Sequence, residues 1–178
     1  SKAAYCVLGS TGFYDFTFNN CEFLNATNVG AEVSTFFGTM AFVGCTFEGN
    51  SISGMHGTSL RVIIVDCTFI DNAFSGISLS SDNGYIIGNL IIGGTHGMTL
   101  LGDDNIVKNN TMAGGSGSGV LIESGSIGNI VVNNSASGYG VCGFYLFDDI
   151  EKTCAAFSNN HAYNNTTCHI INKHHRSI

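Results

Sequence analysis

The sequence contains no proline and no tryptophan, and only 11% of its 178 residues are charged. An average globular protein has about 25% charged residues, so this chain offers few charges to a polyanion. Six Lys and Arg residues stand against 13 Asp and Glu residues, which gives a net charge of −7. No basic stripe follows the spacing of a phosphate backbone, and this excludes nucleic acid as the expected partner.

Long hydrophobic runs are also missing. No stretch of 18 apolar residues occurs, so the sequence predicts no direct membrane span. No signal peptide is recognisable, and we expect the chain to be one segment of a longer protein. Because 44% of the residues are hydrophobic, residues 1–178 are predicted to form a single folded domain with a continuous core.

A repeated turn motif organises the chain. With 24 glycines and many asparagines, the composition favours short strands and turns over helices. One two-residue motif recurs seven times, and the spacings between its second members are 24, 22, 22, 21, 24 and 26 residues. The motif stands at Asn20-Cys21, Gly44-Cys45, Asp66-Cys67, Gly88-Asn89, Asn109-Asn110, Asn133-Asn134 and Asn159-Asn160.

Apolar residues keep a fixed distance from these anchors. Three residues before the second member stand Phe18, Phe42, Ile64, Ile86, Val107, Val131 and Phe157, and two residues after it stand Phe23, Phe47, Phe69, Ile91, Met112, Ala136 and Ala162. No segment has helical periodicity. Each winding would expose unpaired strand edges unless the next one stacked on it. The pattern therefore predicts an all-β parallel β-helix of about seven coils, with 21–26 residues in each.

Short alternating strands recur between the anchors, as in Gly76-Ile77-Ser78-Leu79 and Gly97-Met98-Thr99-Leu100. We expect the glycine to supply a positive φ or a tight bend. The segment 76–89 resembles the repeat of the pectin-lyase-like right-handed β-helices, and the resemblance covers essentially the whole chain. It implies a right-handed solenoid but leaves the function open, because enzymes and non-enzymatic surface proteins share this fold.

The second anchor positions are predicted to form an inward ladder. An Asn ladder at one turn is common in the pectin-lyase-like superfamily. The ladder consists of Cys21, Cys45, Cys67, Asn89, Asn110, Asn134 and Asn160. We interpret the three cysteines as small buried residues and predict neither a metal site nor a cofactor, since stacked thiols do not converge on one ion.

Cys142 and Cys168 each lie eight residues after an anchor, so they should be neighbours on adjacent coils, within disulfide range. Cys154 competes as a partner. Seven cysteines leave at least one thiol unpaired within the chain.

Asn-X-Ser/Thr sequons and cysteines favour a secreted protein. The sequons stand at Asn25, Asn109, Asn133, Asn164 and Asn165. Asn109 and Asn133 precede ladder residues and are predicted to point outward. We therefore expect an extracellular or cell-surface glycoprotein.

One segment suggests an enzyme. Gly94 to Leu100, with His96 at its centre, resembles the Gly-His-Gly strand of polygalacturonases. Inverting hydrolysis requires two carboxyl groups roughly 6.5–9.5 Å apart, which that family supplies as Gly-Asp-Asp on an earlier strand. Here the corresponding segment is Asn72-Ala73-Phe74-Ser75, and Asp103-Asp104 follows His96 instead. The family's Arg-Ile-Lys motif is missing as well, so we predict no catalytic residue.

A lyase would need clustered carboxylates for Ca²⁺ and a basic residue beside them. Asp148-Asp149 with Glu151 is the one acidic cluster, and Lys152 is its basic neighbour. We interpret this cluster as a solvated loop, with a Ca²⁺ site as the alternative.

The C-terminal coils are similar to those of fibrocystin-like surface proteins. The similarity rests on Asn133 to Gly138, Gly143-Phe144, Cys154 and Asn159 to Ala162. It implies an extracellular protein of several domains, and a disulfide at Cys154.

These observations predict a non-catalytic structural or adhesive segment of a larger surface or filament glycoprotein. Its expected partners are flanking segments or other copies stacked at the coil ends, and carbohydrate. The alternative is a polysaccharide hydrolase or lyase, or a fragment of one.

Overall fold

The chain folds as a parallel β-solenoid in the computed structural model, which describes residues 7–9, 15–148 and 150–172. Two sheets run along it, both built from parallel pairs. Sheet 1 has thirteen strands and sheet 2 has seven. The seven strands of sheet 2 are separated by six complete turns. This is slightly fewer than the seven coils expected, because seven anchors have only six intervals between them.

The strands of sheet 1 are β1 (Val7–Gly9), β2 (Phe16–Asn19), β4 (Ala31–Val43), β6 (Ser53–Val65), β8 (Ser75–Leu79), β9 (Tyr85–Ile87), β11 (His96–Leu100), β12 (Ile106–Lys108), β14 (Val120–Ile122), β15 (Asn129–Val132), β17 (Cys142–Leu146), β18 (Cys154–Ser158) and β20 (Cys168–Asn172). Sheet 2 contains β3 (Glu22–Leu24), β5 (Thr46–Glu48), β7 (Thr68–Ile70), β10 (Leu90–Ile92), β13 (Thr111–Gly115), β16 (Ser135–Tyr139) and β19 (His161–Tyr163). A single turn of helix, α1 (Ile150–Thr153), precedes β18.

The predicted register is confirmed in every coil. Phe18 pairs with Phe42, and the column continues through Ile64, Ile86, Val107 and Val131 to Phe157. In sheet 2, Phe23 begins the second column, which ends at Ala162. Side chains of both columns line the core. Equivalent residues stack at the strand spacing of about 4.8 Å, so one buried stack runs through the solenoid.

Aromatic rings fill the N-terminal part of this core. The rings of Phe18 and Phe42 stack with centroids 5.2 Å apart, and those of Phe47 and Phe69 stack at 4.6 Å. Phe47 lies at the same 4.6 Å from Phe23. Beyond Phe69 the column continues with aliphatic side chains, so the packing changes from ring stacks to interlocked Ile, Val and Met.

Two corners of each coil have backbone in the left-handed region. The first anchor residues have φ between 52° and 71°, and they are Asn20, Gly44, Asp66, Gly88, Asn109, Asn133 and Asn159. Five residues later φ lies between 49° and 80°, at Asn25, Gly49, Asp71, Gly93, Gly114, Gly138 and Asn164. Only Gly, Asn and Asp enter this region readily. The backbone therefore dictates which residue types border sheet 2.

The glycines that precede the alternating strands have a different role from the one expected. Gly76, Gly97 and Gly119 do not have positive φ. A Cβ on Gly97 would lie 2.5 Å from the carbonyl oxygen of Gly119 and 2.7 Å from the hydroxyl of Tyr139. A Cβ on Gly76 would lie 2.6 Å from the side chain of Ile91. These positions need glycine because sheet 2 side chains reach across the narrow interior.

Candidate functional site

The predicted ladder lies at the first corner, where the side chains from Cys45 to Asn160 bond to the neighbouring coil and the Cys21 thiol bonds to the Asn19 carbonyl of its own coil. The Asn110 amide nitrogen Nδ2 donates to the Ile86 carbonyl at 2.8 Å and to Asn134 Oδ1 at 3.0 Å. Asn110 Oδ1 accepts both the backbone N–H and the Nδ2 of Asn89. Asn134 and Asn160 repeat the pattern. Each amide therefore satisfies backbone groups that the corner would otherwise leave unpaired.

The cysteines of the ladder occupy the same place and bond to equivalent groups. The thiols of Cys45 and Cys67 point at the carbonyls of Phe18 and Phe42, at 3.3 and 3.4 Å. These carbonyls are equivalent in position to the Ile86 carbonyl, which accepts a hydrogen bond from Asn110. Burial raises the pKa of Cys67 to about 12. Cys67 is therefore a thiol at neutral pH, a weak donor and not a nucleophile.

Sequence reasoning missed two further ladders of buried asparagine. At the second corner, Asn50 Nδ2 donates to Asn72 Oδ1 at 2.8 Å. At a third corner, between the two halves of sheet 1, the backbone N–H of Asn105 donates to Asn129 Oδ1 at 3.0 Å. The sequence signal for these ladders was a Gly, Asn or Asp followed directly by Asn, as in Asp71-Asn72. This pair repeats the anchor motif.

The sequons divide into exposed and buried sites. Asn25, Asn109, Asn133 and Asn164 are exposed. Asn165 is only 9% exposed, and its Nδ2, the atom that would carry a glycan, donates to the Ala136 carbonyl. Its Oδ1 accepts the Tyr139 N–H. Glycosylation at Asn165 stays a prediction, and in the folded chain this buried side chain belongs to the second-corner ladder.

Among the cysteines, the structure contains a disulfide between Cys142 and Cys168, with 4.8 Å between their Cα atoms. The two residues are register partners of β17 and β20. Cys154 has a free, buried thiol, and burial raises its pKa to about 12. Its register partner is Asn129, so no described cysteine faces it, and the disulfide implied for Cys154 does not form within the described part of the chain.

His96 holds the next coil in place. Its Nδ1 accepts the Ser118 backbone N–H at 3.0 Å, and its ring meets Phe74 edge to face, with centroids 5.6 Å apart. Burial lowers the pKa of His96 below its ordinary value. Asp104 lies beyond the other end of β11, and the strand alone extends about 13 Å from His96 to Leu100. These two residues, which an enzyme would have to combine, are not brought together.

Acidic side chains also bond to neighbouring coils. Asp103 Oδ1 accepts the Ile127 N–H at 2.7 Å. Asp148 Oδ2 accepts the Ser124 hydroxyl and the Gly125 N–H. Asp149, the other half of this acidic pair, lies outside the described residues. Within the described ranges, no group of three or more His, Cys, Asp and Glu side chains could hold a metal ion.

A shallow cleft of about 370 Å³ opens on sheet 1, and sequence reasoning missed it. Glu32, His56 and Ser78 are consecutive register partners on β4, β6 and β8, and all three line the cleft. Ile52 and Phe74 form its apolar side and are 45% and 47% exposed. The alternation of buried Met55, outward His56 and buried Gly57 was the signal that could have identified it.

Residues 55–177 match the family described as the right handed beta helix region. This match covers more than two thirds of the chain. No curated protein matches the sequence. Among the residues that the structure describes, no helix has the length and apolar character needed to cross a membrane.

Proposed function

Because the chain belongs to the right-handed β-helix family, whose fold serves enzymes and surface proteins alike, we propose that it is a non-catalytic structural or adhesive segment of a larger extracellular glycoprotein. The roles of the polar residues at the corners carry this proposal. Asn110, His96, Asp103 and Asp148 all bond to backbone groups of an adjacent coil. Residues of types that are often catalytic in enzymes therefore hold neighbouring coils together in this protein.

An extracellular location is supported by two features. Disulfides persist in oxidising compartments and are rare in the cytosol, and Cys142 is paired with Cys168. Asn109 and Asn133 present exposed side chains at a corner of the solenoid. The left-handed backbone explains an asparagine at these positions without any glycan. Glycosylation therefore requires a direct measurement.

That measurement is site-resolved mass spectrometry of native protein, isolated from its source and treated with and without an N-glycosidase. We expect glycans at Asn109 and Asn133 and none at Asn165. Thr111→Ala provides a matched control in recombinant secreted protein, because it removes the sequon and keeps Asn109 in its corner. Native protein that is unmodified at all sequons would contradict the glycoprotein assignment.

The coil ends are the proposed contacts with flanking segments or other copies. In the described part of the chain, β3 and β19 are the edge strands of sheet 2. Edge strands present unpaired backbone groups that another strand can pair with. Such head-to-tail pairing does not close on itself, so it predicts open-ended filaments.

Carbohydrate binding at the cleft is the second candidate, favoured by its geometry. Exposed Phe74 gives an apolar surface on which a sugar ring can stack, and Glu32 and His56 add hydrogen-bonding groups beside it. We would incubate the protein with pectins, alginates and hyaluronan and measure both binding and turnover. Turnover that is abolished by Glu32→Gln or His56→Ala would make the chain an enzyme and contradict the structural role. Binding without turnover would support adhesion.

A further inference from the structure

The outer surface of sheet 2 carries few charged residues. Each of its seven strands presents two outward side chains, in two rows. We call this surface the sheet 2 face. One row is Glu22, Thr46, Thr68, Leu90, Thr111, Ser135 and His161, and the other is Leu24, Glu48, Ile70, Ile92, Ala113, Ser137 and Tyr163. Four of these are large, exposed hydrophobic residues, namely Leu24, Leu90, Ile92 and Tyr163.

The exposed residues of the sheet 2 face have a symmetric arrangement. Leu90 and Ile92, 38% and 39% exposed, lie on β10, the fourth of the seven strands and therefore the middle of the face. Uncharged residues lie next to them on β7 and β13, namely Thr68, Ile70, Thr111 and Ala113. The acidic residues, Glu22 and Glu48, are confined to the first two strands, and His161 lies on the last.

We propose that the sheet 2 face is a two-fold interface between two copies of this chain. A two-fold axis parallel to β10 brings Leu90 and Ile92 of one copy onto the same residues of the other. Because this axis reverses the stacking direction, the first strand of one copy lies opposite the last strand of the other. Glu22 then faces His161 twice, once at each end of the interface.

Charge distinguishes this axis from the other in-plane two-fold axis. An axis along the solenoid would place each strand opposite its own copy. Glu22 and Glu48 of both copies would then gather at one end, with four like charges close together. Juxtaposed like charges cost several kcal/mol in an interface. The axis parallel to β10 avoids this repulsion and pairs the acidic residues with His161 and Ser137.

The size of the face sets the expected affinity. Seven strands cover about 29 Å and three residues cover about 10 Å, which gives a footprint well below the roughly 800 Å² per partner of a standard interface. We therefore expect a weak dimer that forms at concentrations above about 1 μM.

Sedimentation velocity over a range of concentrations tests the interface. The wild-type chain shifts from monomer to dimer and forms nothing larger through this face. Leu90→Glu and Leu90→Lys each place like charges on the axis, and each weakens dimerisation by at least about tenfold. Mixing the two variants restores a dimer, because Glu then meets Lys. His161→Glu weakens the dimer, and adding Glu22→Lys restores it.

Ile127→Lys is the matched control, because Ile127 is 58% exposed and lies outside the sheet 2 face. It leaves dimerisation unchanged. Circular dichroism verifies that each variant is folded, and the pair Ile92→Glu and Ile92→Lys replaces any Leu90 variant that is not. A wild-type chain that stays monomeric, a mixture of Leu90 variants that stays monomeric, or a wild-type dimer that the Leu90 and Ile92 variants do not weaken would overturn the proposal.

Discussion

Tyr139 is the largest fully buried side chain among the described residues, and it fills a space that glycines leave open. A Cβ on Gly115 would lie 2.6 Å from the Tyr139 ring, and one on Gly97 would lie 2.7 Å from its hydroxyl. The ring therefore lies along the column where Asn50 and Asn72 stand in earlier coils. Its hydroxyl is buried without a hydrogen-bond partner. Burial raises the pKa of Tyr139, so the hydroxyl stays protonated.

Tyr139→Phe is expected to raise the free energy of unfolding by about 1 kcal/mol, because a buried hydroxyl without a partner costs roughly 1–3 kcal/mol. Tyr139→Ala is expected to lower it by about 3–5 kcal/mol through cavity formation. Urea denaturation followed by circular dichroism measures both. If Tyr139→Phe is clearly destabilising, the hydroxyl has a partner and this account of the residue is wrong.

His96 predicts a pH dependence of stability. Its pKa is lowered in the folded chain, so the unfolded chain binds more protons between the folded pKa and the unfolded value of about 6.5. Stability is then complete above pH 6.5 and decreases as the pH falls below it, towards the folded pKa. Protonation of Nδ1 would also break the bond from Ser118.

The difference in free energy of unfolding between wild type and His96→Gln isolates this contribution from the other titrating groups. We expect the advantage of the wild type to shrink between pH 7.5 and pH 5. An advantage that stays constant or grows on acidification would show that the His96 pKa is not lowered.

At the scale of the elements, the ladders are the main polar contribution to the stack. Asn110→Ala removes the donor to the Ile86 carbonyl and the acceptor for the Asn89 N–H. Since buried groups left unpaired cost about 1–3 kcal/mol each, we expect a loss of about 2–5 kcal/mol. The neighbouring change Asn109→Gly is expected to be within about 0.5 kcal/mol of wild type, because glycine adopts positive φ freely. Equal losses in thermal or urea denaturation would contradict the ladder.

Two glycines allow the energetic cost of overpacking to be measured separately from the cost of backbone strain. Gly97 has ordinary φ and its Cβ would clash with Gly119 and Tyr139, whereas Gly114 has φ +68° and open space around it. Gly97→Ala is expected to destabilise by about 1–3 kcal/mol through overpacking, and repacking around it by Tyr139→Phe should recover part of the loss. Gly114→Ala should cost about 1–2 kcal/mol of backbone strain, and Tyr139→Phe should leave that cost unchanged.

The sequence predicted the apolar columns completely because their side chains must be buried in every coil. Phe42 and Ile64, for example, keep one distance from the anchor although the coil length varies. The third-corner pair Asn105 and Asn129 was not predicted. At that corner β4 and β6 each continue as one strand, with a register irregularity between them, so the motif is missing from the earlier coils and the repeat is too short to recognise.

The cleft was harder to predict from the sequence than the apolar columns. Glu32, His56 and Phe74 come from three different coils and meet only because the register aligns β4, β6 and the segment before β8. At Asn165 the sequon overlaps the second-corner ladder, in which the side chain is buried. A motif of three residues does not reveal which side chain the corner buries.

In the whole molecule, every corner bond and both outer surfaces depend on the coils stacking in one register. The disulfide between Cys142 and Cys168 fixes the register at the last coil. The middle of the solenoid has no such covalent link among the described residues. Thr99 and Leu121 are outward register partners there, on β11 and β14.

Oxidative cross-linking of paired cysteines at these positions is the most direct test. Thr99→Cys with Leu121→Cys places the Cα atoms about 4.8 Å apart, within disulfide range, whereas Thr99→Cys with Glu123→Cys places them about 7–8 Å apart, beyond it. Peptide mass spectrometry of the monomer should find the disulfide in the first variant and not in the second. A disulfide in the second variant alone, or in both to an equal extent, would contradict the stacked register.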